Sequence, residues 1–303
     1  MLTRHLPTRG IVLSLVGFSL LSFGDAAIKF LSPHYSTQSL VFYNSVFGLL
    51  TLLLLSPWLG GMRETLRDKR IKLHLLRGVL VFVQLSLIVY AFGQMPLAKA
   101  YAIIFTAPLF STLLAIPLLK DHVSWRHWVG IIVGFVGVLV VLRPGFIPLD
   151  LGVMAALVSA LFFSLVNITA RYMRHTQHTL LSWGFYPHLV IISVLLLFFS
   201  AELQRPQPEH LPYMIFLGSV SVFGAIAVAR SFAYVPTVTA ASFHYVQMLW
   251  GVSLGYVLFG DALEIWTAVG AAIIIAGGLW LIHVEKRKLA AARPKALKED
   301  ASA

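Results

Sequence analysis

Apolar residues run through this chain in long blocks, broken by short polar or basic segments. Stretches long enough to cross a bilayer fall near 11 to 31, 36 to 56, 75 to 93, 97 to 119, 127 to 142, 151 to 173, 180 to 200, 211 to 233, 237 to 259 and 266 to 284. A hydrocarbon core of roughly 30 Å takes about 20 helical residues per crossing, so the pattern predicts ten transmembrane helices. The fifth run is the shortest, and only Gly93 to Pro96 part the third from the fourth, so nine is the alternative count. The expected fold class is an all-α membrane protein.

The pattern occurs twice. Sliding the sequence by 142 pairs Gly10 with Gly152, Asp25 with Asn167, Lys29 with Arg171 and Thr37 with Thr179. A shift of 140 pairs Pro96 with Pro236, Asp121 with Asp261, Gly130 with Gly270 and Gly137 with Gly277. Chance matches between apolar segments are common, so the two Pro, the two Asp and the Lys/Arg pair carry the weight. The reading is two repeats, residues 10–143 and 150–284, followed by a basic tail, 285–303. Five crossings per repeat is odd, so the second copy enters the membrane from the opposite side. Inverted repeats allow one midplane site to face either side in turn.

Basic residues set the orientation. With the N-terminus inside, the cytoplasmic side collects Arg4 and Arg9, the segment from Arg63 to Arg77, Lys120 and Arg126, Arg171 and Arg174, and the Lys286 to Lys298 tail. The other side holds Lys29, Lys99, Arg143 and Arg205. Both termini are therefore expected in the cytoplasm, and the membrane is expected to be the inner, plasma membrane. The first apolar run lacks a small-residue cleavage site after it, which argues against a signal peptide.

Composition narrows the function. Of 303 residues, 58% are hydrophobic and 12% charged, with a mean hydropathy of +0.84. The net charge of +11 would suggest nucleic acid in a soluble protein, but here it sits between apolar runs and in the tail, as topology signal. Zero cysteines exclude disulfides, thiolate metal sites and cysteine nucleophiles. His5, His34, His122, His127, His175, His178 and His210 lie in loops or near helix ends, none in an HExxH spacing, and no P-loop is present. No metal, cofactor or ATP-driven chemistry is expected.

The segments FGDAAIKFLS (23 to 32), YAFGQMPLAKA (90 to 100), its counterpart SFAYVPTVTAA (231 to 241) and GIIVGFVGVLVVLRPG (130 to 145) give the chain its family character. On them, across about residues 10 to 284, the sequence resembles the drug/metabolite transporter superfamily in its EamA-domain branch. The resemblance implies a basket around a central cavity lined mainly by helices 1, 3, 4, 6, 8 and 9, with helices 5 and 10 outside. It implies a secondary transporter of a small-molecule substrate. The first reading is export of an amino acid or amino-acid-derived metabolite by alternating access. The alternative is uptake of a nucleotide-like or cofactor-like solute, of the S-adenosylmethionine or riboflavin type. An intramembrane enzyme is the remote alternative, since convergent titratable groups are not visible. Many family members carry an arginine in helix 2 where this chain has Tyr43 and Asn44, so that role does not transfer.

Seven residues are candidates for contact with substrate: Asp25, Gln84, Asn167, Arg230, His244, Tyr245 and Trp250. Asp25 is the one carboxylate inside an apolar run, and an ion there is costly unless paired or protonated. It either pairs with Lys29, four residues on along the same helical face, or meets substrate or a coupling proton. Arg230, in the last turns of helix 8, either holds a carboxylate bidentately or snorkels to the interface. His244 titrates near neutrality and could move a proton or simply pack. Tyr245 and Trp250 follow it around more than one face. Gln84 and Asn167 are neutral groups that pair between helices or contact cargo. Pro108, Pro117 and Pro187 bend helices, as hinges or fixed kinks. Gly130, Gly134, Gly137, Gly270, Gly277 and Gly278 form small-residue faces for close packing, within the monomer or across a homodimer.

Overall fold

In hydrocarbon there is no water for the amides, so each crossing closes its hydrogen bonds within itself as a helix. The computed structural model describes residues 7–68, 70–119, 125–143, 150–173, 179–231, 234 and 243–300, and no strand occurs among them. The helices are α1 (Pro7–Leu31), α2 (Thr37–Leu55), α3 (Met62–Leu66), α4 (Ile71–Gln94), α5 (Leu97–Ile104), α6 (Ala107–Leu119), α7 (Trp125–Leu142), α8 (Leu151–Met173), α9 (Leu180–Phe198), α10 (Leu211–Ser231), α11 (Val246–Phe259) and α12 (Ile265–Asp300). A 3-10 turn, Phe243–Tyr245, leads into α11. Among the described residues seven spans are long and apolar enough to cross a membrane, α5 and α6 counting together as one. Three further expected runs correspond to shorter helices: Trp128–Leu142, Val246–Phe259 and Ile265–Trp280. Leu54, Leu197, Phe198 and Val257 are about three-quarters exposed, as a lipid-facing surface requires. The chain is an all-α, multi-pass membrane protein.

Local chemistry sets the boundaries. Ser36 caps α2 by accepting from the Ser39 amide at 3.2 Å, Thr179 caps α9 at the Ser182 amide at 3.1 Å, and Asp150 caps α8 at the Val153 amide at 2.8 Å. The expected run 97 to 119 is two helices rather than one. A proline clashes with the carbonyl four residues back and has no amide to donate; α5 ends at Ile104, four residues before Pro108, and α6 restarts at Ala107. Pro117 and Pro187 instead lie inside α6 and α9, which run on through them. The tail expected as a separate segment continues α12 to Asp300. Asp121, Pro236, Lys120, Arg174, His122, His175 and His178 lie outside the described residues.

The packing pattern repeats with the sequence. α4 begins at Ile71 and α10 at Leu211, α7 at Trp125 and α12 at Ile265, both 140 apart. α1 packs on α10 as α8 packs on α4; α2 packs on α10 as α9 packs on α4; α7 packs on its own counterpart α12. Exchange of partners of this kind is what a two-fold relation between halves produces.

The glycine faces meet each other inside the chain. A Cβ on Gly137 would fall 2.8 Å from the Gly270 carbonyl oxygen and 2.8 Å from the Ile274 amide; one on Gly277 would fall 2.9 Å from the Gly134 amide and 3.0 Å from the Gly130 oxygen. α7 and α12 thus touch backbone to backbone. Gly17 and Gly224 do the same between α1 and α10. Leucine at position 137 or 277 is expected to push α7 and α12 apart and cost at least about 1 to 3 kcal/mol, the usual range for overpacking. Thermal unfolding of the detergent-solubilised protein measures it, and Val136→Leu, at an exposed position of α7, is expected to unfold as wild type does.

Candidate substrate site

Helix α1 carries the site because one aromatic and three polar residues recur on it at helical spacing. Phe18, Ser22, Asp25 and Lys29 follow one another at four, three and four residues, which stacks them along one stripe. Ser22 is fully buried and donates back to the Phe18 carbonyl at 3.1 Å.

Asp25 does not pair with Lys29. The Tyr101 hydroxyl donates to Asp25 Oδ2 at 2.6 Å, and Lys29 Nζ turns to Asp261 Oδ2 at 2.5 Å and to the Met95 carbonyl at 3.2 Å. The expected intrahelical pair is therefore replaced by two contacts between distant segments. Side chains four apart share a face, but the better-placed partner wins: Asp261 follows the end of α11 and lies against the C-terminal end of α1. Its backbone is turned there by Gly260 at a left-handed φ of 68°, a conformation glycine adopts without strain.

The break before Pro108 places Tyr101. On the short helix α5 its ring is 2% exposed, edge-on to Phe92 at 5.7 Å and stacked on Phe105 at 6.3 Å. Gly251 of α11 lies directly against the ring, and any side chain there would strike it. Phe105 in turn stands edge-on to His244 and to Tyr245, both at 5.2 Å. His244 stacks on Phe18 of α1 at 5.0 Å and leans on Phe163 of α8 at 6.1 Å. Trp250 Nε1 donates to Ser19 Oγ at 2.7 Å, and its indole meets Phe23 at 4.9 Å. The result is a connected set of rings from α1, α4, the α5 segment through Phe105, α8 and the 3-10 turn, with Asp25 on its edge, while Trp250 and Phe23 form a separate pair against α1.

Three of the seven candidates, Asp25, His244 and Tyr245, belong to this set, and Trp250 meets α1 separately through Ser19 and Phe23. The other three do not. Gln84 is half-buried on α4, where its backbone carbonyl accepts from Ser159 of α8 at 3.2 Å. Asn167 is exposed on α8. Arg230 is exposed at the end of α10 and reaches the Trp58 carbonyl, beyond the end of α2, at 3.4 Å. The sequence reading missed Tyr101, Phe105, Phe18 and Phe163, which look like ordinary apolar positions. The Pro108 break was the one signal that α5 is a separate element. Among the described residues no three His, Asp or Glu side chains gather as a metal site needs. A carboxylate beside stacked rings is suited to a cation: the carboxylate supplies the opposite charge and the ring faces add about 0.5 to 2 kcal/mol of cation–π attraction each.

Because Lys29 and Asp261 are each other's partner and mostly buried, removing one leaves an uncompensated charge. Lys29→Ala or Asp261→Asn alone is expected to lower stability by about 2 kcal/mol or more, and the double neutralisation to recover much of it. Thermal unfolding of the purified single and double variants reads this. Rescue of Lys29→Ala by Asp25→Asn rather than by Asp261→Asn would instead restore the pairing within α1.

Against known proteins the chain matches the EamA-like transporter family twice, over residues 8–143 and 150–282. It is 26% identical to the S-adenosylmethionine uptake transporter of Rickettsia prowazekii (strain Madrid E), covering 92% of this chain and 94% of that one. It is 24% identical to the riboflavin transporter of Vibrio cholerae serotype O1, covering 87% of each chain. To the pseudopaline exporter of Pseudomonas aeruginosa (strain UCBPP-PA14) it is 22% identical, covering 91% of this chain and 97% of that one. A solved crystal structure at 17% identity superposes with a TM-score of 0.60, covering 91% of this chain and 98% of its own, which is a likeness of fold alone. With both halves matched along nearly their full length, the chain belongs to the EamA-like transporter family.

Proposed function

We propose that this protein is a secondary transporter that takes up a small organic cation of the S-adenosylmethionine type by alternating access. The observation that carries the reading is Asp25, held by the Tyr101 hydroxyl at the edge of the ring cluster of Phe18, Phe105, Phe163 and His244. A sulfonium or ammonium centre is drawn to the carboxylate, and a planar base has aromatic faces to stack on. The S-adenosylmethionine uptake transporters of Rickettsia, at 26–27% identity, support the same cargo class. The repeated family match supports two halves that rock about a shared site. The Lys and Arg distribution supports the inner membrane with both termini in the cytoplasm. A second reading keeps the cargo amino-acid-derived and reverses its direction, and the likeness to the pseudopaline exporter favours it.

Proteoliposomes and intact cells making the protein distinguish these. Radiolabelled S-adenosylmethionine is expected to accumulate with wild type and to be competed by unlabelled cargo. Asp25→Asn is expected to remove most uptake. Tyr101→Phe, which keeps the ring, is expected to weaken it roughly tenfold through loss of one charge-assisted hydrogen bond of about 1.5 kcal/mol. Loss only of pH-driven accumulation in Asp25→Asn, with exchange of cargo intact, would make Asp25 a proton carrier instead. Accumulation that falls below that of control cells would establish export.

A further inference from the structure

Lys29 has two carboxylates within its range and satisfies one of them. Its Nζ lies 2.5 Å from Asp261 Oδ2, 3.2 Å from the Met95 carbonyl and 5.0 Å from the centre of the Phe259 ring. Asp261 is fixed from its own side, since its amide donates to the Gly255 carbonyl at 3.0 Å across the turn made by Gly260. The pair therefore joins α1, the corner after α4 and the end of α11. Three residues beyond Asp261, Glu264 pairs with Arg143, which follows α7, so a second ion pair ties the two family-matching stretches together at the same end.

Asp25 is the other carboxylate. It precedes Lys29 by four residues on one face of α1, the spacing at which opposite charges meet on a helix. A lysine carries its ammonium on a flexible four-carbon stem, so rotation about side-chain bonds takes the charge from Asp261 to Asp25 without moving the backbone of α1. Lys99 precedes Tyr101 by two positions, which puts it on another face of α5. Asp25, Lys29 and Asp261 together hold two negative charges and one positive. With the ammonium on Asp261, Asp25 has the Tyr101 hydroxyl at 2.6 Å, a dipole and not a counter-charge. A carboxylate inside a bilayer without a cation is costly. The trio is short of one positive charge, and a cationic cargo brings one.

We infer that Lys29 exchanges between Asp261 and Asp25 and so competes with the cargo's cation as a tethered ion. In the arrangement the structure shows, Lys29 ties α1 to the end of α11 and leaves Asp25 to the cargo. In the other, Lys29 neutralises Asp25 itself and unties that end, which the Lys and Arg distribution assigns to the outside. The carboxylate then left single is Asp261, past the end of its helix and 20% exposed, where water reaches it. Cargo binds only the first arrangement, so its arrival shifts the population toward the tied end. A neutral solute has no charge with which to displace Lys29. The inference deepens the proposed function and rests on that reading for Asp25 as the cargo's counter-charge.

Two measurements on the purified full-length protein in lipid nanodiscs test it. Thermal unfolding of variants at positions 25, 29 and 261 needs no cargo. With Asp261 present, the effect of Lys29→Met is expected to differ little with or without Asp25→Asn. In the Asp261→Asn background, Lys29→Met is expected to recover a few degrees more when Asp25→Asn is also present, because only then does the ammonium lack any carboxylate. Absence of that dependence on position 25 overturns the exchange. The second measurement is equilibrium binding of radiolabelled S-adenosylmethionine. A purely structural pair makes the two single neutralisations equally harmful, whereas exchange makes them opposite. Asp261→Asn is expected to weaken binding roughly tenfold, because Lys29 then occupies Asp25. Lys29→Met is expected to bind at least as tightly as wild type, and the double variant to match it. Weaker binding by Lys29→Met, or a double variant as weak as Asp261→Asn, overturns the exchange. If Asp261→Asn does not fold, Lys29→Met alone decides by the same criterion. A wild type that shows the dependence on position 25 yet binds no S-adenosylmethionine refutes the cargo reading and supports the exchange.

Discussion

An ion inside a bilayer has no water to turn to, so its counter-charge must come from the protein, and in this chain it comes from far along the sequence. Lys29 near the end of α1 meets Asp261 just past α11, with side chains only 14% and 20% exposed. The two residues lie in the two different stretches that match the family. Their pairing ties the ends of α1 and α11 together, and it frees Asp25, one turn earlier, from an intrahelical partner. The polar character of the ring cluster follows from that release, because Asp25 then accepts from the Tyr101 hydroxyl.

Geometry at the cluster depends on two backbone features that cost a helix its regularity. The missing amide of Pro108 ends α5 after eight residues, and Tyr101 and Phe105 lie on the segment ahead of that break. Glycines then set how close the walls come: Gly251 admits the Tyr101 ring, and Gly278 of α12 admits the Tyr245 hydroxyl. Elsewhere the same residue type brings α7 against α12 with no side chain between them. Close approach in lipid gains dispersion contacts where no hydrophobic drive exists between helices.

A carboxylate among rings favours a cation with a flat body. Arg230 stands apart from it, at the surface beside Trp58.

The order of apolar blocks and their helical state follow from sequence alone, because lipid leaves the backbone one local solution and each block is read independently of the others. The glycine faces were legible for the same reason: their spacing is a property of a single helix. Asp25 stood out as the one acid within an apolar run, and His244, Tyr245 and Trp250 through their place in one segment. Partner choice was not legible. Spacing allowed Lys29 to pair with Asp25, and only the fold brought Asp261 within 2.5 Å. Tyr101 and Phe105 read as packing residues until α5 turned them toward α1 and α11. Arg77 counted as a topology charge because its run begins at its edge; only the helix start at Ile71 and the contact with Trp183 put it inside the bundle. Contacts between elements distant in sequence depend on how whole helices pack, and no local pattern encodes that.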